Sequence, residues 1–456
     1  MKKVGLTLLV LVLLALVLAP SAAFAQISSY NADFQIVNLS PTNEATIRIA
    51  FINQAGTEVA AVDDTIEAGG SNTYSPLPSS VPAGFDGSVV ISSNEPVAAI
   101  SNVKGNGLEY GSSYSSFDGG SNTVSLPLIN RNFFGIDTWF NVQNTGTSAT
   151  TVTVSYSSAP TCNQTATIQP GAAATFEQDP HTCLGDNYNG AATITTDEAG
   201  DEVAAVLMQV FSGGLLAYNG FAAGGTEPVI PLVTNNVYGI LTGIQIQNQG
   251  STATNVTITY TANSGTGTDC TESASIPAGG AETFSINVFG AGSGNTTSDC
   301  TEGEYWIGSA AVTGNSASQP LVGIVNQTNF ASGGSSSYGA FDPAAATDTV
   351  VMPLLMDAFN IWTGWSVMNV GAATTATCTY GGTSISVDFA LGTNEAVDVQ
   401  NLNGQTGDPA QTLPDNYIGS GTCTASGGGL LLGVVNQANL NAGVIDGTLT
   451  YESVNN

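Results

Sequence analysis

Positive charge is almost missing from this chain. Its 456 residues include five Lys and Arg and one His, set against 35 Asp and Glu. Two of the five cations, Lys2 and Lys3, stand in an N-terminal segment that the sequence marks for removal, which leaves Arg48, Lys104 and Arg131. Neutralising a phosphate backbone takes several clustered cations, so nucleic acid and anionic membrane surfaces are excluded as partners. The single imidazole is as limiting. Ser-His-Asp and Cys-His catalysis need a His held beside a nucleophile, and His181, between Asp179 and Cys183, reads as a surface loop residue. Charge of either sign is scarce, at 9% against about 25% in ordinary soluble chains. Hydroxyls and amides must therefore cover most of the surface.

Long apolar runs are also missing, with one exception. Met1 to Ala25 reads as a short basic start, an apolar run and Ala-Phe-Ala ahead of Gln26. That is the pattern of a secretory signal peptide cleaved after Ala25, and residues 1–25 are set aside from the fold. No later run approaches the ~20 residues of a membrane helix. The expectation is an exported chain, extracellular or on the cell surface, with no transmembrane segment in its mature part.

Helical periodicity is the third absence. From Gln26 onward short alternating runs are broken by Gly, Pro, Asn and Ser, which predicts an all-β chain. What is present in its place is repetition. Leu126 opens an apolar-Pro-Leu-apolar run that passes through an aromatic connector and alternating residues to Asn144-Thr145-Gly146. Ile230 and Met352 open close variants at intervals of about 105 to 120 residues, and Phe34 to Ser40 is a truncated fourth copy. Such spacing predicts four tandem antiparallel β-sandwich domains of about seven strands each. Their expected bounds are residues 26–122, 123–227, 228–348 and 349–456.

Within each copy the same positions recur. An alternating strand places Ile47, Ile49 and Phe51, then Val152, Val154 and Tyr156, Val256, Ile258 and Tyr260, and Ala376, Cys378 and Tyr380 on a core face. A strand, a Gly turn and a second strand follow: Ile66, Gly69, Tyr74; Ile168, Gly171, Phe176; Ile276, Gly279, Phe284; Phe389, Gly392, Val397. Next come Gly87, Gly190, Gly308 and Gly419, each four residues before Ile91, Ile194, Val312 or Cys423. Nearly continuous apolar runs at Val97–Ile100, Val203–Val206, Leu321–Ile324 and Leu431–Val434 suit strands in the middle of a sheet. The segments 119–122, 224–226 and 332–337 read as short connectors, which implies an extended string of domains. The insertion at 291–304 in module three reads as a surface loop.

The six cysteines fall two per module in modules two to four. In an exported chain an even count implies disulfides, and the repeat pairs Cys162 with Cys183, Cys270 with Cys300, and Cys378 with Cys423. The last pair is expected across the core of module four, and the other two are expected to pin loops. No C-x-x-C spacing supports a metal or redox role.

Candidate chemistry is thin. Asp63-Asp64, and Asp197-Glu198 with Asp201-Glu202, are expected in exposed turns; the second cluster is a candidate weak calcium site. Paired carboxylates across a cleft would be needed for glycoside hydrolysis, and these do not recur between modules. Of the tryptophans, Trp365 aligns with Phe140 and Ile244 as core. Trp139 and Trp362, in or beside the aromatic connector, are candidates for sugar stacking, and Trp306 carries no further signal. No catalytic residue, metal ligand or cofactor site is expected.

The strand ends of the Val142-Gln143-Asn144-Thr145-Gly146 type, the turns of the Ile168-Gln169-Pro170-Gly171 type and the Gly190 to Ile194 strands resemble the tandem immunoglobulin-like or CARDB-like β-sandwich repeat proteins of bacterial cell surfaces. That resemblance implies a non-catalytic structural or adhesive protein of the surface or extracellular matrix, a filament or surface-layer subunit among the options. Its partners would be copies of itself, other surface proteins or glycans. The alternative is a secreted carbohydrate-binding protein. Module one lacks the apolar-Pro-Leu-apolar strand. Either Ile27 to Tyr30 takes its place, or a sheet edge is left for another chain to complete.

Overall fold

A computed structural model describes residues 27, 29–40, 42–105, 110–212, 214–286, 296–301, 304–316, 318–329, 334–400, 404–439 and 446–455. The expected signal peptide and part of the 291–304 insertion lie outside the described residues.

Module one contains β1 (Tyr30–Asn38), β2 (Ala45–Asn53), β3 (Glu58–Ile66), β4 (Ser71–Tyr74), β5 (Gly87–Ser93), β6 (Val97–Gly105) and β7 (Tyr110–Ser115). Module two contains β8 (Thr123–Arg131), β9 (Asp137–Asn144), β10 (Thr150–Tyr156), β11 (Ala159–Ile168), β12 (Ala173–Glu177), β13 (Tyr188–Thr196), β14 (Val203–Phe211) and β15 (Gly214–Asn219). In module three are β16 (Val229–Val237), β17 (Ile240–Asn248), β18 (Thr254–Gly265), β19 (Cys270–Ile276), β20 (Ala281–Phe284), β21 (Thr297–Ser298), β22 (Trp306–Gly314), β23 (Leu321–Thr328) and β24 (Ser335–Gly339). Module four runs through β25 (Thr349–Ala358), β26 (Ile361–Asn369), β27 (Thr374–Tyr380), β28 (Ser386–Leu391), β29 (Glu395–Gln400), β30 (Ile418–Ala425), β31 (Leu431–Asn439), β32 (Thr448–Glu452) and β33 (Val454–Asn455).

The chain is all-β. Module two pairs a β11-β10-β13-β8 sheet with a β12-β9-β14-β15 sheet, every ladder antiparallel. Modules three and four keep that order, their β16–β17 and β25–β26 pairings joining the two sheets of each. Among the described residues module one has β4-β1-β6-β7 with the three-stranded β3-β2-β5 opposite it.

The alternation sorts the cores as expected. Ile49, Val154, Ile258 and Cys378 are fully buried and face Ile91, Ile194, Val312 and Cys423 across their ladders. Burying one such aliphatic side chain stabilises by about 1.5–3 kcal/mol. The turn Gly residues 69, 171 and 279 hold φ of +65°, +72° and +66°, where a Cβ is disfavoured. In module four the match shifts by two. Thr374 pairs with Leu391 and Trp365 with Val399, and Asn394 at φ +62° supplies the left-handed turn in place of Gly392. Phe389 and Val397 occupy the same faces two residues earlier, so period two alone could not set this register.

The four modules do not form an extended string. Strands near their C-terminal ends pack side by side about one axis: β7 on β15, β15 on β24, β24 on β32, and β32 back on β7. One hydrogen bond marks each junction: Asn219 Nδ2 to Ser115 O at 2.9 Å, Ser337 Oγ to Ala217 O at 2.7 Å, Gly339 N to Glu452 Oε1 at 3.2 Å, and Ser113 Oγ to Thr450 O at 3.4 Å. The Ser-rich segment expected as a linker at 332–337 therefore contributes a buried strand, with Ser335 and Ser336 each 1% exposed. Across the axis the Ser113 and Ser337 hydroxyls donate to backbone carbonyls of neighbouring modules. Away from the axis, β8 packs on β17 and β23 of the next module, and β16 packs on β26, β29 and β31.

Candidate functional site

Two polar devices recur in the modules. The first is the Asn of each Asn-x-Gly or Asn-x-Ser turn. Asn144, 1% exposed, donates from Nδ2 to Ser148 O and Ile168 O at 2.7 and 2.9 Å and accepts from Gly146 N at 2.9 Å. Asn38, Asn248 and Asn369 make the same set of bonds to their own strand ends. The side chain sews one strand end to the strand of the opposite sheet.

The second device was not legible as a motif. Each Pro-Leu run makes a bulge, with the pairing register jumping between Gly190 and Ala192, Ile230 and Val233, and Met352 and Leu355. The freed peptide groups of the Leu are taken by a Tyr from a strand near the module's C-terminal end. Tyr218 OH donates to Leu128 O at 2.8 Å and accepts from Leu128 N at 3.2 Å. Tyr338 does the same at Leu232, and Tyr451 at Leu354. Hairpin loops of unequal length before these Tyr residues hid their periodicity in the sequence.

Module one keeps the Tyr, and among the described residues it lacks the strand. Tyr114 pairs with Ser101 as Tyr218 pairs with Leu207, Tyr338 with Val325 and Tyr451 with Val435. Those three partners are fully buried, whereas Ser101 is half-exposed. Ile27 does not replace the missing strand; it packs with Val103, Tyr110, Met208 and Leu215, while Tyr30 opens β1 opposite Gly105. Among the described residues the second edge of β5 is unpaired. Ile91, whose counterparts Ile194, Val312 and Cys423 are 0% exposed, is only half-buried.

Along this edge runs a cleft of about 2160 Å³. One wall is β5, the floor is the inner face of β6 with Tyr114, and the other wall is the outer face of β9 and β14, including Trp139, Val206 and Met208. At the equivalent place in modules two and three lie β8 and β16. Trp139 stands where modules three and four have Gly243 and Gly364, and its ring meets Tyr30 edge-on at 5.3 Å.

The axis carries a buried carboxylate. Asp446, 1% exposed, accepts from Leu215 N at 3.0 Å and from Ser335 N and Oγ, each at 2.6 Å, and bridges Tyr110. Burial pushes its pKa up to about 6. Asp398, at the junction of modules three and four, accepts from Asn263 Nδ2 at 2.9 Å, and burial raises it to about 6 as well.

The remaining sequence candidates have structural partners. His181 Nε2 lies 2.8 Å from Cys162 O, with its ring against Tyr156. Asp63 and Asp64 are not in a turn but in β3, where Asp64 accepts from Tyr74 OH at 2.7 Å and that bond lowers its pKa. Asp197 accepts from Thr151 N at 3.0 Å, which lowers its pKa, and its neighbours Glu198, Asp201 and Glu202 do not converge with it on one point. Among the described residues the one group with three potential ligand atoms in reach is Cys270, Asp299 and Cys300, and both sulfurs are spent in a disulfide. Trp306 and Trp365 are core, Trp362 is 36% exposed on β26, and Trp139 lines the cleft. Arg48, Lys104 and Arg131 each pair with a carboxylate, Glu58, Asp33 and Asp186.

The cysteine pairs are disulfides: Cys162–Cys183, Cys270–Cys300 and Cys378–Cys423. The last does not cross the core between sheets. Cys378 and Cys423 face each other on neighbouring strands of one sheet, 4.0 Å apart at Cα, with both side chains turned into the core.

No protein-family model matches the chain, and no curated protein matches it. Among the described residues no helix is long and apolar enough to cross a membrane.

Proposed function

We propose that the chain is a non-catalytic structural protein of the cell surface or extracellular matrix, exported through its N-terminal segment, that joins assemblies through a sheet edge. The unpaired edge of β5 in an open cleft carries this reading. An edge with unpaired N–H and C=O groups is a template for another chain, and the other three modules keep theirs covered. The buried polar groups support it too, because the Asn, Tyr and Asp residues that would draw attention as chemistry are spent on holding strands. Three disulfides suit an oxidising compartment.

Immunogold labelling of producing cells should place the protein on envelope, matrix or filament, and extracts should sediment as complexes. Label confined to the medium, with a freely sedimenting monomer in every extract, would sink the reading. The Tyr30–Trp139 pair at the cleft mouth favours a glycan ligand as the second reading; binding on a glycan array that disappears with Trp139→Ala would move the assignment there.

A further inference from the structure

We infer that the cleft beside β5 is a strand-binding slot, whose occupant is an extended apolar-Pro-Leu-apolar segment presented by a different polypeptide. This inference rests on the assembly reading above and names the partner's chemistry.

The molecule holds its own examples of the complex. β8 and β16 each lie against the strand equivalent to β5, β13 and β22 respectively, each bulges at Pro-Leu, and each is clamped at that Leu by a Tyr. Both also bond the following module: Ser125 Oγ accepts from Gln249 Nε2 at 2.9 Å, and Pro231 O accepts from Ser366 Oγ at 2.6 Å. In module one every element that would surround such a strand is present. β5 offers the ladder, Tyr114 stands in the clamp position beside Ser101, and the β9–β14 face of module two stands where the β17–β23 and β26–β31 faces stand for β8 and β16. The slot is thus the module-one equivalent of two interfaces already built into the protein.

Its dimensions agree. β5 spans Gly87–Ser93, and an extended strand rises about 3.3 Å per residue, so seven residues cover about 23 Å. Among the described residues a second copy of this chain has no such segment to lend: β8, β16 and β25 are each held in their own sheets. The occupant therefore comes from elsewhere. Backbone pairing supplies the attraction, and the half-exposed Val89, Ile91 and Val97 supply pockets for alternate side chains.

The test uses the chain from Gln26 onward and a labelled synthetic peptide with the sequence of Thr123–Arg131. Fluorescence anisotropy should show saturable binding that a scrambled peptide does not compete. Amide exchange should slow at least tenfold in Gly87–Ser93, about 1.4 kcal/mol, with other strands unchanged. Tyr114→Phe, which in the free protein gives up only the bond to Ser101, should weaken the peptide about fivefold through loss of the clamp. Ile91→Ser should weaken it independently. No binding, binding without protection of β5, or indifference to both substitutions overturns the slot. Concentration-dependent self-association that the peptide displaces would make the occupant a second copy. Binding lost when residues 1–25 are retained would make it the chain's own leader. Either result overturns the different-polypeptide assignment. If the peptide fails while cell extracts still sediment as complexes, the inference falls and the assembly reading stands.

Discussion

Tyr338 donates its hydroxyl proton to the carbonyl of Leu232 and accepts the N–H of the same residue, so one side chain satisfies both peptide groups that the Pro-Leu bulge takes out of the ladder. A strand from the end of the module thereby fixes the strand at its start. The same pairing holds Leu128 to Tyr218 and Leu354 to Tyr451.

Removing that hydroxyl separates the complete modules from the incomplete one. Tyr338→Phe leaves a buried donor and acceptor unpaired and should cost about 1–3 kcal/mol in urea unfolding. Tyr114→Phe gives up only a bond to the half-exposed Ser101 and should cost less, about 0.5–1 kcal/mol. Equal losses at the two sites would show that the hydroxyl has no special work at the bulge.

The turn asparagines should be more sensitive than exposed polar residues. Asn144→Ala deletes two donated bonds and one accepted bond at a site 1% exposed, and a loss of about 2–4 kcal/mol is expected. Asn144→Asp should be nearly as damaging, because a carboxylate cannot donate to Ser148 O and Ile168 O. Thermal melts of both variants give the comparison.

The disulfide of module four closes a sequence separation of 45 residues, worth about 4 kcal/mol in the chain-entropy model. The double substitution Cys378→Ala with Cys423→Ala should lower the melting temperature more than the same treatment of Cys162 and Cys183, whose separation is 21. The reverse order, measured by calorimetry, would count against loop closure as the main effect.

Stability should fall as pH rises from about 4 to above 6. Asp446 and Asp398 hold their protons up to about pH 6 in the folded protein, against about 3.9 for an unfolded Asp. The folded state binds the extra protons, so this contribution is fully present below the unfolded value and is lost as pH passes the folded one. Two pKa units correspond to about 3 kcal/mol per group as an upper figure. Asp64 and Asp197, whose pKa values are lowered, act in the opposite sense and only below the unfolded value. Melting temperatures should therefore be higher at pH 5 than at pH 8, and Asp398→Asn should shrink that difference. A flat profile between those two pH values would contradict it.

Much of each sandwich was legible residue by residue. Ile47, Ile49 and Phe51 and their counterparts alternate with period two, and period two is a local property of the strand. Gly69, Gly171 and Gly279 announce their turns because few other residues accept a positive φ. Module four slipped by two residues at Phe389, since a shift of two preserves the face and only the ladder to Thr374 distinguishes the choices.

The sequence by itself determined that strands would form, which faces would be apolar, and which cysteines belong together, because these follow from periodicity and repetition along the chain. Only the tertiary structure decided that Ser335–Gly339 is a buried strand and not a linker, that Asp446 joins three other modules at the axis, and that β5 borders an open slot. Those outcomes depend on contacts between residues far apart in sequence, such as Tyr110 with Asp446. Small polar side chains carry such contacts without any local signal, since a serine that satisfies a distant carbonyl is the same residue in sequence as one that faces water.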